Sequence, residues 1–266
     1  MKVIVQYSTG AGSAEVAVRC VEQYGLENVD LLSADTAVED EDNWRFAQEV
    51  WEWLGRPTWH RIRDGRTPME VGRDKRCVPN NRLAVCSRIL KREPLRKFMD
   101  RHYDPADSLV ALGFDWTEDH RLNASYEPWK PWTICAPLME APYLQKADIL
   151  QAWRDRGIEP PRLYALGFSH ANCGGACVRG GHKAWRLLLN TIPERFMEWE
   201  AEEEAIRQML GKDVSILREN RAGIPTPVTL RAFRERAENQ PSLFDDDEDW
   251  GACGCFTVYE DETEEA

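Results

Sequence analysis

The chain has 266 residues, 42% of them hydrophobic and 30% charged, enough to bury a substantial core as one large domain or a domain with an appended module, and its 11 tryptophans argue against a wholly disordered chain. The formal net charge of −12 is concentrated at one end: residues 241–266 carry ten Asp/Glu and no Lys/Arg, which leaves 36 acidic against 34 basic residues elsewhere, a net of −2. No stretch is apolar for the roughly 18 residues a membrane span needs, and Met1 leads into a strand-like run without a signal-peptide pattern, so a soluble cytoplasmic protein with no membrane partner is expected.

In chain order, residues 2–7 read as a short buried strand and residues 13–24 as a helix, with Ser8, Thr9, Gly10, Ala11, Gly12 and Ser13 spanning the turn between them. The stretch "VDLLSADT", residues 29–36, predicts a second strand, and Asp35 at its end stands where a ligand-contacting carboxylate can sit. This β-loop-α-β order predicts an α/β fold with a mainly parallel sheet flanked by helices, whose ligands bind beyond the carboxyl ends of the strands. A helical pattern follows from Trp44 to Leu54. Residues 56–82, rich in Arg, Pro and Gly, read as a long loop of the kind that covers a site.

A dense basic stretch runs from Arg73 to Arg101; it can steer an anionic substrate or simply form a solvated helix face. "SLVALGF", residues 108–114, predicts a later strand that runs into the charged "DWTEDHR". A helix is expected from Lys146 to Arg156, closed by Gly157 and the Pro160-Pro161 pair. The segment "NCGGACVRGGHKAWRLLLN" passes from a Gly-rich turn into an amphipathic helix, and a charged helix at 194–211 comes next. "TPVTLRAFRERAE" predicts a final helix capped by Thr226 or Thr229. The expected organisation is a nucleotide-binding domain over 1–190, a helical extension over 191–240 and an acidic, cysteine-containing tail over 241–266.

The opening turn has a physical logic. Small residues let backbone N–H groups approach an anion, and the following helix directs its positive end to the same point. The turn is neither a Walker loop, having no Gly-Lys-Ser/Thr, nor a G-x-G-x-x-G fingerprint, and a tight strand-to-helix turn without ligand is its plain alternative. Eight cysteines without a secretion signal point to reduced thiols, metal or redox chemistry. Cys173 and Cys177 form a C-x-x-x-C pair among glycines; thiolates suit iron-sulfur clusters or zinc, for which four ligands are usual. Cys20 reads as core, Cys77 has no assignment, and His170 and His182 read as structural. Trp129 and Trp132, in "YEPWKPW", can stack on a base, packing being the simpler reading.

The turn resembles the pyrophosphate loop of the PP-loop ATP pyrophosphatase (adenine nucleotide alpha hydrolase-like) superfamily, usually Ser-Gly-Gly-x-x-Ser after the first strand. Within it, the phosphoadenylyl-sulfate reductase-like family is the nearest branch in pattern. Its "ADT" corresponds to Ala34-Asp35-Thr36, its cysteine followed by K-x-x-P-L to "CSRILKREPL" at 86–95, and its late lY-x-x-G-f turn to "LYALGFSHANCGGAC" at 163–177. These blocks occur in family order over residues 3–185, and "GACGCF" near the end resembles a phage and mobile-element subgroup. Two departures stand out: Thr9 replaces the first glycine, and Ala11 stands where many relatives carry a charged residue.

The resemblance implies that Ser8, Thr9, Gly10, Ala11, Gly12 and Ser13 cradle phosphates, with Asp35 and Thr36 flanking the nucleotide. It also implies catalytic roles for Lys91, as a point charge on an anionic oxygen, and Arg121, as a bidentate phosphate contact, with Glu118 and His120 assisting proton transfer. Cys86 becomes the third cluster ligand beside Cys173 and Cys177, with Cys255, Cys135 or Cys253 as the fourth and Cys255 favoured. The implied function is adenylation-coupled sulfur transfer, or a related modification of a nucleotide or nucleic-acid acceptor, using ATP or another adenine nucleotide, Mg²⁺ and an iron-sulfur cluster, with zinc as the alternative. The rivals are a sulfonucleotide reductase using a tail thiol, Cys253 or Cys255, and a non-catalytic nucleotide-binding module. The reductase branch ends in a Glu-Cys-Gly-x-His type tail, which this chain lacks.

Overall fold

The computed structural model describes residues 1–221 and 223–239; the acidic tail, with Cys253 and Cys255, lies outside the described residues. The chain opens with β1 (Lys2–Gln6), α1 (Ala11–Tyr24) and β2 (Val29–Asp35), the expected β-loop-α-β unit. Next come α2 (Glu41–Trp53), β3 (Thr58–Arg63), α3 (Pro68–Asp74), a short α4 (Val85–Ser87), a π-helical turn (Arg88–Arg92) and α5 (Glu93–His102). They are followed by β4 (Ser108–Ala111), α6 (Asp119–Trp129), β5 (Thr133–Cys135), α7 (Lys146–Asp155) and α8 (Arg162–Ala165). The described chain closes with α9 (Gly181–Thr191), α10 (Pro193–Leu210), the hairpin β6 (Leu217–Arg221) and β7 (Ile224–Val228), and α11 (Leu230–Asn239).

The fold is the predicted α/β architecture: a five-stranded, all-parallel sheet in the order β3-β2-β1-β4-β5, flanked by helices and followed by a largely helical C-terminal region. Val3 lies opposite Val29 on one side and Leu109 on the other, so β1 is the centre of the sheet. The chain builds outward from β1 to β3, then returns to build the other half from β4. The crossovers after β1 and β4 therefore leave in opposite directions and open a crevice at the carboxyl edge.

Strands covered on both faces need apolar residues on both, and the centre of β1, Val3-Ile4-Val5, meets that demand. Val3, Val5 and Tyr7 pack with Leu31 under α1, α2 and α7, while Ile4 packs with Leu32, Val110 and Leu112 under α5 and α6. A third cluster joins Trp185, Phe196, Trp199 and Phe233 of the C-terminal helices to Met69, Val71 and Leu90.

Two expectations are corrected. Residues 56–82 are not one long loop, because they contain β3 and α3. β3 is an edge strand with Arg61 and Arg63 exposed, and α3 is seven residues long, started by Pro68 and a Thr67/Glu70 capping box. The "TPV" before the last helix is β7, since Pro225 and Pro227 cannot sit inside a helix; Thr226 lies in that strand and Thr229 is the cap, its hydroxyl accepting the Ala232 N–H at 3.1 Å. Trp132 packs, as its simpler reading has it: it is 3% exposed and its indole donates to Asp100 at 2.9 Å, with Trp129 packed against the same core.

Candidate functional site

A cleft of about 480 Å³ opens where the β1 and β4 crossovers part. Ser8, Gly10, Gly12 and Ser13 form one wall, and Glu118, at the N-cap of α6, and Arg121, in its first turn, form another. α1 begins at Ala11 with Gly10 as its N-cap; no side chain caps it and no acidic residue lies in its first turn. The Ser13 hydroxyl donates to the Gly10 carbonyl at 2.9 Å and accepts the Ser8 N–H at 3.1 Å, which pins the turn shut behind the helix. The Ala11 N–H donates to the Tyr164 hydroxyl oxygen at 3.3 Å. Among the described residues the N–H groups of Gly12 and Ser13 meet no protein acceptor. A helix start of this kind, open to a cleft, is electrostatically suited to an anion.

The backbone at Thr9 is of a kind that suits glycine better than threonine. Its φ is 65°, in the left-handed region that a β-branched residue adopts only under strain. Its side chain is buried and its hydroxyl has no partner among the described residues.

Arg121 is 5% exposed and its guanidinium lies 4.8 Å from the centre of the Phe114 ring. One terminal nitrogen donates to Glu118 in a close contact, while the Nε–H meets no acceptor among the described residues. The other Glu118 oxygen accepts the Asp115 N–H at 3.2 Å. Glu118 and Arg121 are thus held at the cleft by each other.

The remaining predicted residues lie elsewhere. Asp35 does not line the cleft: its carboxylate accepts from Arg61 at 2.7 Å and from the Ala37 N–H at 2.9 Å. Thr36 and Lys91 instead line a second, small cavity of about 20 Å³ together with Cys86, Cys173 and Cys177. Such a volume has room for about one water. Ala11 is buried within the turn, and His120 borders the cleft.

Around the small cavity one carboxylate does most of the organising. Glu39 accepts the Cys173 N–H at 2.6 Å and the Thr36 hydroxyl at 3.0 Å, and its first oxygen lies 3.4 Å from the Lys91 ammonium. Cys173 takes a left-handed φ of 51°, followed by Gly174 at 60°. A Cβ on Gly174 would fall 1.9 Å from the Arg195 guanidinium, so only glycine admits that side chain, which bonds the Gly174 carbonyl at 2.7 Å.

A hydrogen bond with Cys177, then burial, push the Cys173 thiol well above its ordinary range; Glu39 adds to the rise and Lys91 opposes it. Among the described residues no three His, Cys, Asp or Glu side chains are close enough to hold a metal ion. Cys135 does not line this cavity; burial and Glu140 push its thiol up to about 12. Cys20 is fully buried in the core, as expected.

The two cavities share a wall. Ala171 and Asn172 line the cleft, and the next residue, Cys173, lines the thiol cavity. Tyr164, Lys146 and Asn172, to which the sequence alone assigns no role, all face the cleft, as does His170. Tyr164 lies within the quoted "LYALGF" and was the one with a signal. Within the basic stretch Arg73, Arg88, Lys91 and Arg96 are each paired to a carboxylate.

No family model matches the chain, and no curated protein matches it. Among solved structures it is similar to phosphoadenylyl-sulfate (PAPS) reductase from Candida auris, in its phosphate complex, with 16% identity, 62% of this chain and 78% of that chain covered, and a TM-score of 0.44. It is also similar to NH3-dependent NAD synthetase from Campylobacter jejuni subsp. jejuni, in complex with nitrate, with 17% identity, 80% and 84% covered, and a TM-score of 0.40.

Proposed function

We propose that the chain is a PP-loop enzyme that binds an adenine nucleotide in the β1/β4 cleft and couples adenylation of an acceptor to sulfur transfer. The observation that carries this reading is the pair of unengaged amides, Gly12 and Ser13, opening from an uncapped helix start onto a cleft of about 480 Å³ that also holds Arg121. The shared wall at residues 171–173 supports the second half, since it puts thiols directly behind the nucleotide cleft.

In this mechanism the α1 amides bind the β- and γ-phosphates while an acceptor oxygen attacks the α-phosphorus. The bond from the α-phosphorus to the bridging oxygen breaks, pyrophosphate leaves, and the acceptor carries AMP. Arg121 offsets charge developing on the phosphoryl oxygens, freed in part from Glu118, which is then able to receive the acceptor's proton. A sulfur nucleophile next displaces AMP. Asp115 is the cleft carboxylate that would hold a Mg²⁺ ion accompanying the polyphosphate.

Cys86, Cys173 and Cys177, with Cys255 of the tail, are the proposed ligands of an iron-sulfur cluster or zinc. The three described thiols meet at one cavity without being spaced as a metal ligand set, so no step runs through that group.

The test is an anaerobic preparation analysed for iron, sulfide and zinc, then assayed separately for pyrophosphate release from ATP and sulfite release from a sulfonucleotide. Pyrophosphate release dependent on an acceptor supports the proposal. Thiol-dependent sulfite release without ATP cleavage would replace it with the reductase reading.

A further inference from the structure

The anion-binding turn carries no cation of its own. It lacks the lysine of a Walker loop, and Ala11 occupies the middle of the turn. A phosphate drawn to the α1 amides therefore needs its counter-charge from outside the turn. Two side chains on the opposite wall supply what is missing.

Lys146 is the first residue of α7 and lines the cleft. Among the described residues it makes no ion pair or hydrogen bond; its recorded contact is with the Tyr164 ring, 5.6 Å from its ammonium. The start of a helix is an unfavourable place for a cation, because the helix dipole presents its positive end there. A lysine in that position, facing a cleft rather than a carboxylate, is arranged for an anion that arrives from solution.

Tyr164 reaches across from α8 to the turn itself. Its hydroxyl oxygen accepts the Ala11 N–H at 3.3 Å, and it lies 3.0 Å from where a Cβ on Gly10 would be, so Gly10 permits its close approach. Having accepted one hydrogen bond, the phenol keeps its own proton to donate, and no acceptor meets it among the described residues. A further polar group points to a ligand here independently: Arg121, nine-tenths buried on the same cleft, has an Nε–H without a partner among the described residues.

We infer that Lys146 and Tyr164 clamp the phosphate seated on the α1 amides, Lys146 as its counter-ion and Tyr164 as a hydrogen-bond donor. Both are binding and positioning residues for the polyphosphate part of the ligand. The inference rests on the nucleotide reading above and adds which end of the ligand this wall reads.

The experiment is calorimetric titration of the full chain with inorganic pyrophosphate, ATP and adenosine, for wild type, Lys146→Met, Lys146→Arg and Tyr164→Phe. Lys146→Met should weaken pyrophosphate and ATP by roughly tenfold or more, as expected for removing a charged partner, and leave adenosine unchanged. Tyr164→Phe should weaken the same two ligands by roughly threefold to tenfold, and Lys146→Arg should restore most of the loss. A melting temperature for Lys146→Met at or above that of wild type shows that the fold is intact. If wild type binds ATP and pyrophosphate and both variants match it within about twofold, the clamp is wrong while the nucleotide site stands. An equal loss for adenosine would also overturn it, by showing a structural role. If wild type binds neither phosphate ligand, the nucleotide reading itself fails.

Discussion

Glu39 holds the backbone N–H of Cys173 at 2.6 Å, and with the same carboxylate it faces the Lys91 ammonium at 3.4 Å. The residue that keeps a left-handed cysteine in place is therefore also one that sets its charge. In Glu39→Gln the negative charge that raises the Cys173 thiol is gone while Lys91 still lowers it. The pH midpoint for alkylation of Cys173 by iodoacetamide should move down, and stability should fall by about 2 kcal/mol because the Cys173 amide and Lys91 lose a charged partner. Mass-spectrometric alkylation rates across pH and urea denaturation check the two effects.

Thr9→Gly should stabilise the chain by about 1 kcal/mol, since it removes left-handed strain at φ 65° and a buried hydroxyl without a described partner. It should also leave or improve ATP affinity, because the turn amides keep their direction. Thermal denaturation decides this; a loss of more than about 1 kcal/mol would mean that packing of the threonine methyl outweighs its strain.

Glu203 is 1% exposed and accepts the N–H groups of Ile216 and Leu230, each at 2.7 Å, so it ties α10 to the hairpin and to α11. Burial pushes its carboxyl up from 4.5 to about 7, against the pull of those two amides and Arg207. The folded chain then holds a proton that the unfolded chain has released, so this group's contribution to stability falls as pH rises from about 4.5 to about 7 and is flat outside that window. The full span is on the order of 3 kcal/mol. Urea midpoints at pH 5, 6, 7 and 8 should show that slope in wild type and lose it in Glu203→Gln.

The sheet was legible where burial is two-sided. β1 carries the apolar run Val3-Ile4-Val5 and β2 the pair Leu31-Leu32, buried on both faces of the sheet as a covered parallel strand requires. β3 was not legible, since an edge strand can carry His60, Arg61 and Arg63 without the apolar pattern of a covered strand. The hairpin β6–β7 hid behind Pro225 and Pro227, which speak against a helix but say little about an edge ribbon.

At the site, the glycine turn, Glu118 and Arg121 could be read because their chemistry is local to short motifs. Lys146 could not, because its meaning lies in a ring and a cleft assembled from α7, α8 and the β1–α1 turn. Cys86, Cys173 and Cys177 line one cavity, and Lys91 and Thr36 lie there with them rather than at the glycine turn.

The most direct test of the account is a titration of ATP into wild type and Gly12→Ala. A Cβ at Gly12 meets nothing within 4 Å, so it projects into open space beside the unengaged amides, and alanine inside α1 favours the helix. The account predicts that Gly12→Ala is as stable as wild type or more so, yet binds ATP at least about tenfold more weakly. Undiminished binding by a folded Gly12→Ala, or no ATP binding by wild type, would contradict it.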